Sequence, residues 1–231
     1  MGYVVFRGVS TEGMGGVYVQ KMPSHKKASK RFSEFYVKGR DGSLHIDEGY
    51  ANFEVSVYLV LVDSHAEMRQ TVNAWADGRG RLISSDDPSK AYLATVRDEV
   101  QWTRVQANNG FYDTAKIVFD CEPYMVEAVE STIELTATGT LINPGSLDAF
   151  PMIKVYGSGN VSFSFNGESI SIDGMTSGVP ITIDCETGYI FTATGSATMR
   201  GEIPKLSKGT NTITFGSNLS KLVITPRWRW L

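Results

Sequence analysis

The sequence predicts a mainly β protein with one principal helix, in two parts: a β-sheet-plus-helix domain over residues 1–130 and a β-sandwich over residues 131–231. Three observations carry this expectation. Between Asn52 and Asp63, apolar and polar residues alternate with a period of two. Residues 64–78 hold the one convincing helical stripe. From about Ser131 onward the composition shifts to Thr, Ser, Gly and Ile, with short alternating runs at regular spacing.

Taken in order, the first informative stretch is VKGRDGSLHIDEGY, Val37 to Tyr50, flanked by Phe35 and Val37 on one side and Leu44 and Ile46 on the other. Gly39-Arg40-Asp41-Gly42 between two alternating arms reads as a hairpin turn. After it, Phe53, Val55, Val57, Leu59 and Leu61 alternate with Glu54, Ser56, Tyr58 and Val60, which marks a strand with one well-buried face. SHAEMRQTVNAWADG then places Ser64 and Glu67 at capping-box spacing, where each side chain satisfies the other residue's free backbone N–H. Met68, Val72 and Trp75 form one apolar stripe, and Gly78 stands where a left-handed stop is expected. About fourteen residues make a rod of roughly 20 Å, enough to cover one face of a sheet.

RLISSDDPSKAYLATVRDEVQWTRVQ returns to strand-like alternation around a turn at Asp86-Asp87-Pro88. Asn108-Asn109-Gly110 is a hairpin signal, and Lys116 to Cys121 is a short strand that Pro123 is expected to close, because proline cannot continue a central ladder. In the second part, VSFSFNGESISI sets two alternating arms around Asn166-Gly167, the pair favoured in type I′ hairpins. Further strands are expected at Ile153–Tyr156, Ile181–Asp184, Tyr189–Thr194, Thr212–Phe215 and Lys221–Thr225. The boundary falls near residues 125–135, with no Pro/Ser linker, so the two parts are expected to touch.

Composition limits the function classes. At 231 residues there is room for one large domain or two ordinary ones, and 42% hydrophobic with 20% charged residues is the make-up of a folded protein. A formal net charge of −3 argues against a dedicated nucleic-acid binder. The amino terminus lacks the apolar core of a secretion signal, and the run around Val55–Val62 is too short to span a bilayer, so synthesis in a cytoplasm is expected. Cys121 and Cys185 are the only cysteines. A bridge between them is arithmetically possible, but two buried free thiols are the favoured reading.

Little in the chain suggests catalysis. The three histidines are His25, His45 and His65, so nothing later can supply an imidazole. No GxSxG, HExxH or GK[ST] phosphate loop is present. The carboxylate pairs Asp47–Glu48, Asp86–Asp87 and Asp98–Glu99 are adjacent, and adjacent strand residues point to opposite faces. As a calcium loop counted from Asp41, the glycine-rich segment places Ser43, His45 and Ile46 at its third, fifth and sixth positions, so the pattern fails. No helix N-terminus follows to cradle a phosphate. The basic run KMPSHKKASKR, Lys21 to Arg31, could face nucleic acid or an acidic partner, but no aromatics interleave and a solvated loop is favoured. No catalytic, cofactor-binding or metal-ligating residue is assigned, no cofactor is expected, and partner-contacting residues are left open.

The motifs VKGRDGSLHIDEGY, SSDDPSKAYLATV, FDCEPY, LINPGSLDAFPMIKVYGSGNVSFSFNG, ITIDCETG, GEIPKLSKGTNTITFG and VITPRWRWL, in that order, resemble the distal tail protein of siphophages nearly end to end. The resemblance implies a ring-forming N-terminal domain and a galectin-like β-sandwich outside the ring. It implies a non-enzymatic homohexamer at the distal end of the phage tail in the virion, made in the host bacterial cytoplasm. Such a ring joins the tail-tube protein to the tail-tip hub protein, with receptor-binding proteins as further partners in many phages. DNA passes through without sequence-specific binding, and there is no membrane insertion. Larger relatives carry inserted carbohydrate-binding modules, for which this chain has no room.

The rival expectation is a carbohydrate-binding module for host attachment. Galectin-like sites use a histidine, polar residues and a stacking tryptophan, and the second half has no histidine. Trp228 and Trp230 would share one face of a strand, as a sugar platform or as part of a core or interface.

Overall fold

The computed structural model describes residues 2–62, 66–108, 110–193 and 195–231. The chain divides into two compact units, Met1–Ala128 and Val129–Trp230.

The first unit contains β1 (Val4–Phe6), β2 (Val9–Ser10), β3 (Val17–Lys21), β4 (Lys30–Phe35), β5 (Leu44–Tyr50), β6 (Phe53–Leu61), α1 (Ala66–Trp75), β7 (Arg79–Ser84), β8 (Lys90–Val96), β9 (Gln101–Ala107) and β10 (Gly110–Glu127). Among the described residues an eight-stranded sheet runs β2-β1-β7-β8-β10-β6-β3, with β9 also paired to β10, while β4 and β5 form a separate two-stranded sheet. The alternation in β6 produces its expected buried face. Val55, Val57, Leu59 and Leu61 are buried and stand opposite Phe119, Ile117, Ala115 and Asp113 of β10. Helix α1 covers this face with Val72 and Trp75, and Met68 packs half-buried beside them. The Trp75 ring meets Phe6 and Phe119 edge-on at 6.0 and 6.2 Å, and its Nε1 donates to the Val9 carbonyl (2.9 Å). Gly78 adopts φ +76°, the left-handed stop expected after the helix. Ser64 of the expected capping box, His65 and Asn109 lie outside the described residues.

Pro123 does not close its strand. β10 continues to Glu127, pairing with β6 only as far as Cys121 and with β8 again from Met125. The register shifts between Cys121 and Met125, so Pro123 stands where the ladder is already interrupted and its missing N–H breaks nothing.

The second unit contains β11 (Ile133–Leu135), β12 (Gly139–Asn143), β13 (Met152–Gly157), β14 (Gly159–Phe165), β15 (Glu168–Met175), β16 (Ile181–Asp184), β17 (Tyr189–Thr192), β18 (Gly195–Ser196), β19 (Met199–Arg200), β20 (Gly209–Phe215) and β21 (Leu219–Thr225). One sheet runs β11-β21-β13-β16-β17-β18 and the other β12-β20-β14-β15-β19. Inward residues of both, among them Ile153, Ile183, Leu222 and Ile224 from the first and Val161, Phe163, Ile172 and Ile213 from the second, share one core, which makes a β-sandwich. Asn166 (φ +53°) and Gly167 (φ +93°) form the two-residue turn between β14 and β15. The Asn166 side chain also accepts from the Thr212 amide and donates to Asn211, each at 2.8 Å. The strand expected to reach Thr194 ends at Thr192, and Thr194 itself lies outside the described residues.

Candidate functional site

The segment VKGRDGSLHIDEGY lies on the β4–β5 hairpin. Phe35 pairs with Leu44, Ser33 with Ile46 and Glu34 with His45. Val37, expected in the first arm, falls beyond the last paired residue, so the connection spans residues 36–43. Gly39 and Gly42 take φ +84° and +78°, conformations that side-chain-bearing residues reach only with strain.

Ser43, His45, Asp47 and Glu48 each have a structural partner. Asp47 is ion-paired with Lys30 and its Oδ1 accepts from the Gly49 amide (2.9 Å). The Lys30 hydrogen bond, with the Gly49 amide second, holds the Asp47 carboxyl below the usual carboxylate range. His45 has Ser43 Oγ 2.9 Å from Nε2 and Glu34 Oε1 3.7 Å from Nδ1. Glu48 accepts from Ser33 Oγ through its side chain and from Arg31 Nη2 (3.0 Å) through its carbonyl. Among the described residues, no group of three or more His, Cys, Asp or Glu converges to hold a metal.

The basic run that precedes the hairpin braces it. Lys26 Nζ donates to the Glu54 carbonyl (2.8 Å), while Lys30 and Arg31 reach across to β5. Three of its charges, Lys26, Lys30 and Arg31, are matched to specific oxygens near the hairpin base, a role that the spacing of lysines alone does not disclose. His25 lies beside Tyr92, in a crevice of about 20 Å³ lined also by Pro23, Leu82 and Asp87. That volume holds roughly one water molecule.

The best-built charged cluster in the first unit was not anticipated. Asp113 faces the core with its side chain 3% exposed, and Arg69 Nε of α1 (2.8 Å) and Arg104 Nε of β9 (3.0 Å) both reach it. A buried carboxylate demands such partners, and here they tie helix, edge strand and central strand together.

In the second unit the two readings of the tryptophans separate in favour of the core. Trp228 is 4% exposed and belongs to the sandwich core, with Trp230 packed against that core. The strand expected to carry them ends at Thr225, and Arg227 between takes φ +54°, so the two rings reach the core from an irregular segment and not from one face of a strand. The alternate arginines hold the tail down. Arg227 Nη1 contacts Asp184 (2.7 Å) and Glu186 (3.2 Å), and Arg229 places its guanidinium 4.5 Å from the Phe150 ring centre. The outward aromatics of this unit are instead Tyr189, 71% exposed, and Phe191, on one face of β17. Cys121 and Cys185 are both buried and free, and burial pushes each thiol up to about 12.

The first unit also exposes large apolar side chains. Phe35, Leu44 and Ile46 project from one face of the hairpin and stand well exposed, and none of them joins the unit's core. At the far end of β6 a depression of about 480 Å³ is lined by Gln20, Val60, Val62, Ala107, Phe111 and Tyr112.

No protein-family model matches the chain, and no curated protein sequence matches it. Among solved structures, the Dit (gp 19.1) protein of phage SPP1, described as a paradigm of the hub adsorption apparatus in phages infecting Gram-positive bacteria, superposes with a TM-score of 0.74. The match covers 100% of both chains at 16% identity. A chain of the phage P2 baseplate in its activated conformation with Ca superposes with a TM-score of 0.50 at 12% identity, covering 98% of this chain and 97% of that one. The fold, a β-sheet-plus-helix unit followed by a β-sandwich, is thus shared from end to end with the SPP1 Dit protein.

Proposed function

We propose that this chain is a non-enzymatic structural subunit of the tail tip of a long non-contractile-tailed phage or prophage. In this reading six copies close into a ring through residues 1–130, and residues 131–231 lie outside it. The ring joins the tail-tube protein to the tail-tip hub protein, offers a seat to receptor-binding components and leaves a passage for DNA. The observation that carries the reading is the end-to-end correspondence with the SPP1 Dit fold, with no large segment of either chain left over. The chemistry is compatible with it: the clusters around Asp113 and Arg227 brace elements, and large apolar side chains of the first unit stand exposed. Purified full chain should show about six-fold monomer mass by light scattering and rings in negative stain. A monomer at every concentration, together with no assembly alongside tail-tube or hub proteins, would overturn the reading.

A second reading is favoured by one observation, the outward Tyr189 and Phe191 on β17. Two aromatic rings on alternate positions of a sandwich face suit stacking on a sugar ring. If the chain attaches to host glycan, Tyr189→Ala should abolish cell-wall pull-down while the fold is retained. Pull-down unchanged by Tyr189→Ala would remove this reading.

A further inference from the structure

The β4–β5 hairpin has two unlike faces. Lys30, Glu34, His45 and Asp47 lie on one, ion-paired as Lys30–Asp47 and Glu34–His45, together with Phe32, which is 51% exposed and meets the His45 ring edge-on. Ser33, Phe35, Leu44 and Ile46 lie on the other, which is apolar and faces water. With Phe35 51% and Ile46 56% exposed, these side chains leave on the order of 250 Å² of apolar surface in water. Tyr36 and Val37 beside them are also exposed. That is roughly half the apolar content of a standard interface of about 800 Å² per partner.

The depression supplies a matching surface on the same chain. Val60 and Tyr112 line it, with Val62 and the exposed Phe111 at its rim. The hairpin leaves the sheet beside Phe53, where the Ala51 amide bonds the Ser29 carbonyl, whereas the depression lies around Val60–Val62. Nine residues of β6 separate the two regions, about 26 Å at the rise of a strand. Within one chain neither patch covers the other. A foreign protein on the hairpin would also leave the depression uncovered.

We propose that the apolar face of the hairpin (Phe35, Leu44, Ile46) seats in the Val60–Val62–Phe111 depression of a second copy of this chain. The surfaces are different, so the contact is head-to-tail, and repetition of such a contact closes a ring when the rotation per copy permits. This inference rests on the ring reading above and names the surfaces that would build it.

The test uses full-length chains carrying Ile46→Asp or Val62→Asp, examined by sedimentation velocity and by thermal unfolding. Both positions are largely exposed, so the unfolding midpoints should match wild type. Each variant alone should sediment as a monomer, where wild type sediments as a closed oligomer. Mixed, they should form a heterodimer of one copy each, because the Val62→Asp copy keeps a working hairpin and the Ile46→Asp copy keeps a working depression. Wild-type-sized oligomers in both variants would overturn this interface while leaving the ring reading intact. Loss of assembly in Ile46→Asp but not in Val62→Asp would place another surface or another protein on the hairpin, and would also overturn it. A wild-type chain that is monomeric at every concentration would remove the ring reading and this inference with it.

Discussion

Replacing Trp228 by alanine separates a core tryptophan from a ligand platform. The side chain belongs to the sandwich core and is 96% removed from water, since its exposure is 4%. A tryptophan of about 250 Å² at about 25 cal/mol per Å² sets a ceiling near 6 kcal/mol, an upper bound because unfolded chains already bury some surface. Alanine keeps part of that burial and the cavity relaxes in part, so the expected loss is about 3–5 kcal/mol. Guanidinium unfolding followed by circular dichroism should show the transition of the second unit displaced by that amount, with an unfolding temperature lower by about 10 °C or more. Tyr189→Ala, at a site 71% exposed, serves as the control and should stay within about 0.5 kcal/mol of wild type. If Trp228→Ala also stayed within that margin, the placement of this tryptophan in the core would be wrong and a surface role would be open again.

Three further outcomes follow from the same geometry. Asp113→Ala strands Arg69 and Arg104. Breaking a fully buried pair costs about 3–5 kcal/mol, and the loss here should be smaller because both arginines can turn to water; the thermal midpoint of the first unit should fall visibly in calorimetry. Cys121 and Cys185 should resist iodoacetamide at about pH 8 in the folded protein and react fully in denaturant, read by intact mass, since burial pushes both thiols up to about 12. For Asp184, burial pushes the pKa up, but Arg227 and the Glu186 and Thr187 amides pull it further down, so the folded value lies below the ordinary 3.8. The stabilisation is therefore present above about pH 4 and lost as pH falls through the folded value, and thermal melts from about pH 5 to 2 should fall more steeply in wild type than in Arg227→Met.

Local pattern disclosed much of the fold, because the physics behind those elements is local. Alternation in residues 53–61 required one buried face, and Asn166-Gly167 required a tight hairpin. Pro123 was misread because the proline rule applies to a continuous ladder, and whether a ladder slips depends on strands far away in sequence. Trp228 was ambiguous for a related reason: period two says that residues share a face only within a strand, and here the strand ends at Thr225. Phe35, Leu44 and Ile46 carry the same alternation as the buried strand beside them, yet they face water. The pairing of Asp113 with Arg69 and Arg104 could not be read from spacing, since helix and strands meet there only through the tertiary fold.

The neck of the hairpin has an evolutionary consequence. β3 and β6 are neighbours in the sheet, and everything between them is an excursion that returns to its starting point, closed at Ser29 and Ala51. Because β4, β5 and their connection contribute no residue to the unit's core cluster, their sequence can drift, lengthen or be exchanged without disturbing the sheet that carries them. Residues 30–50 can therefore be rewritten independently of what keeps the rest of the unit folded, and under the contact proposed above such rewriting would retune which second copy is accepted.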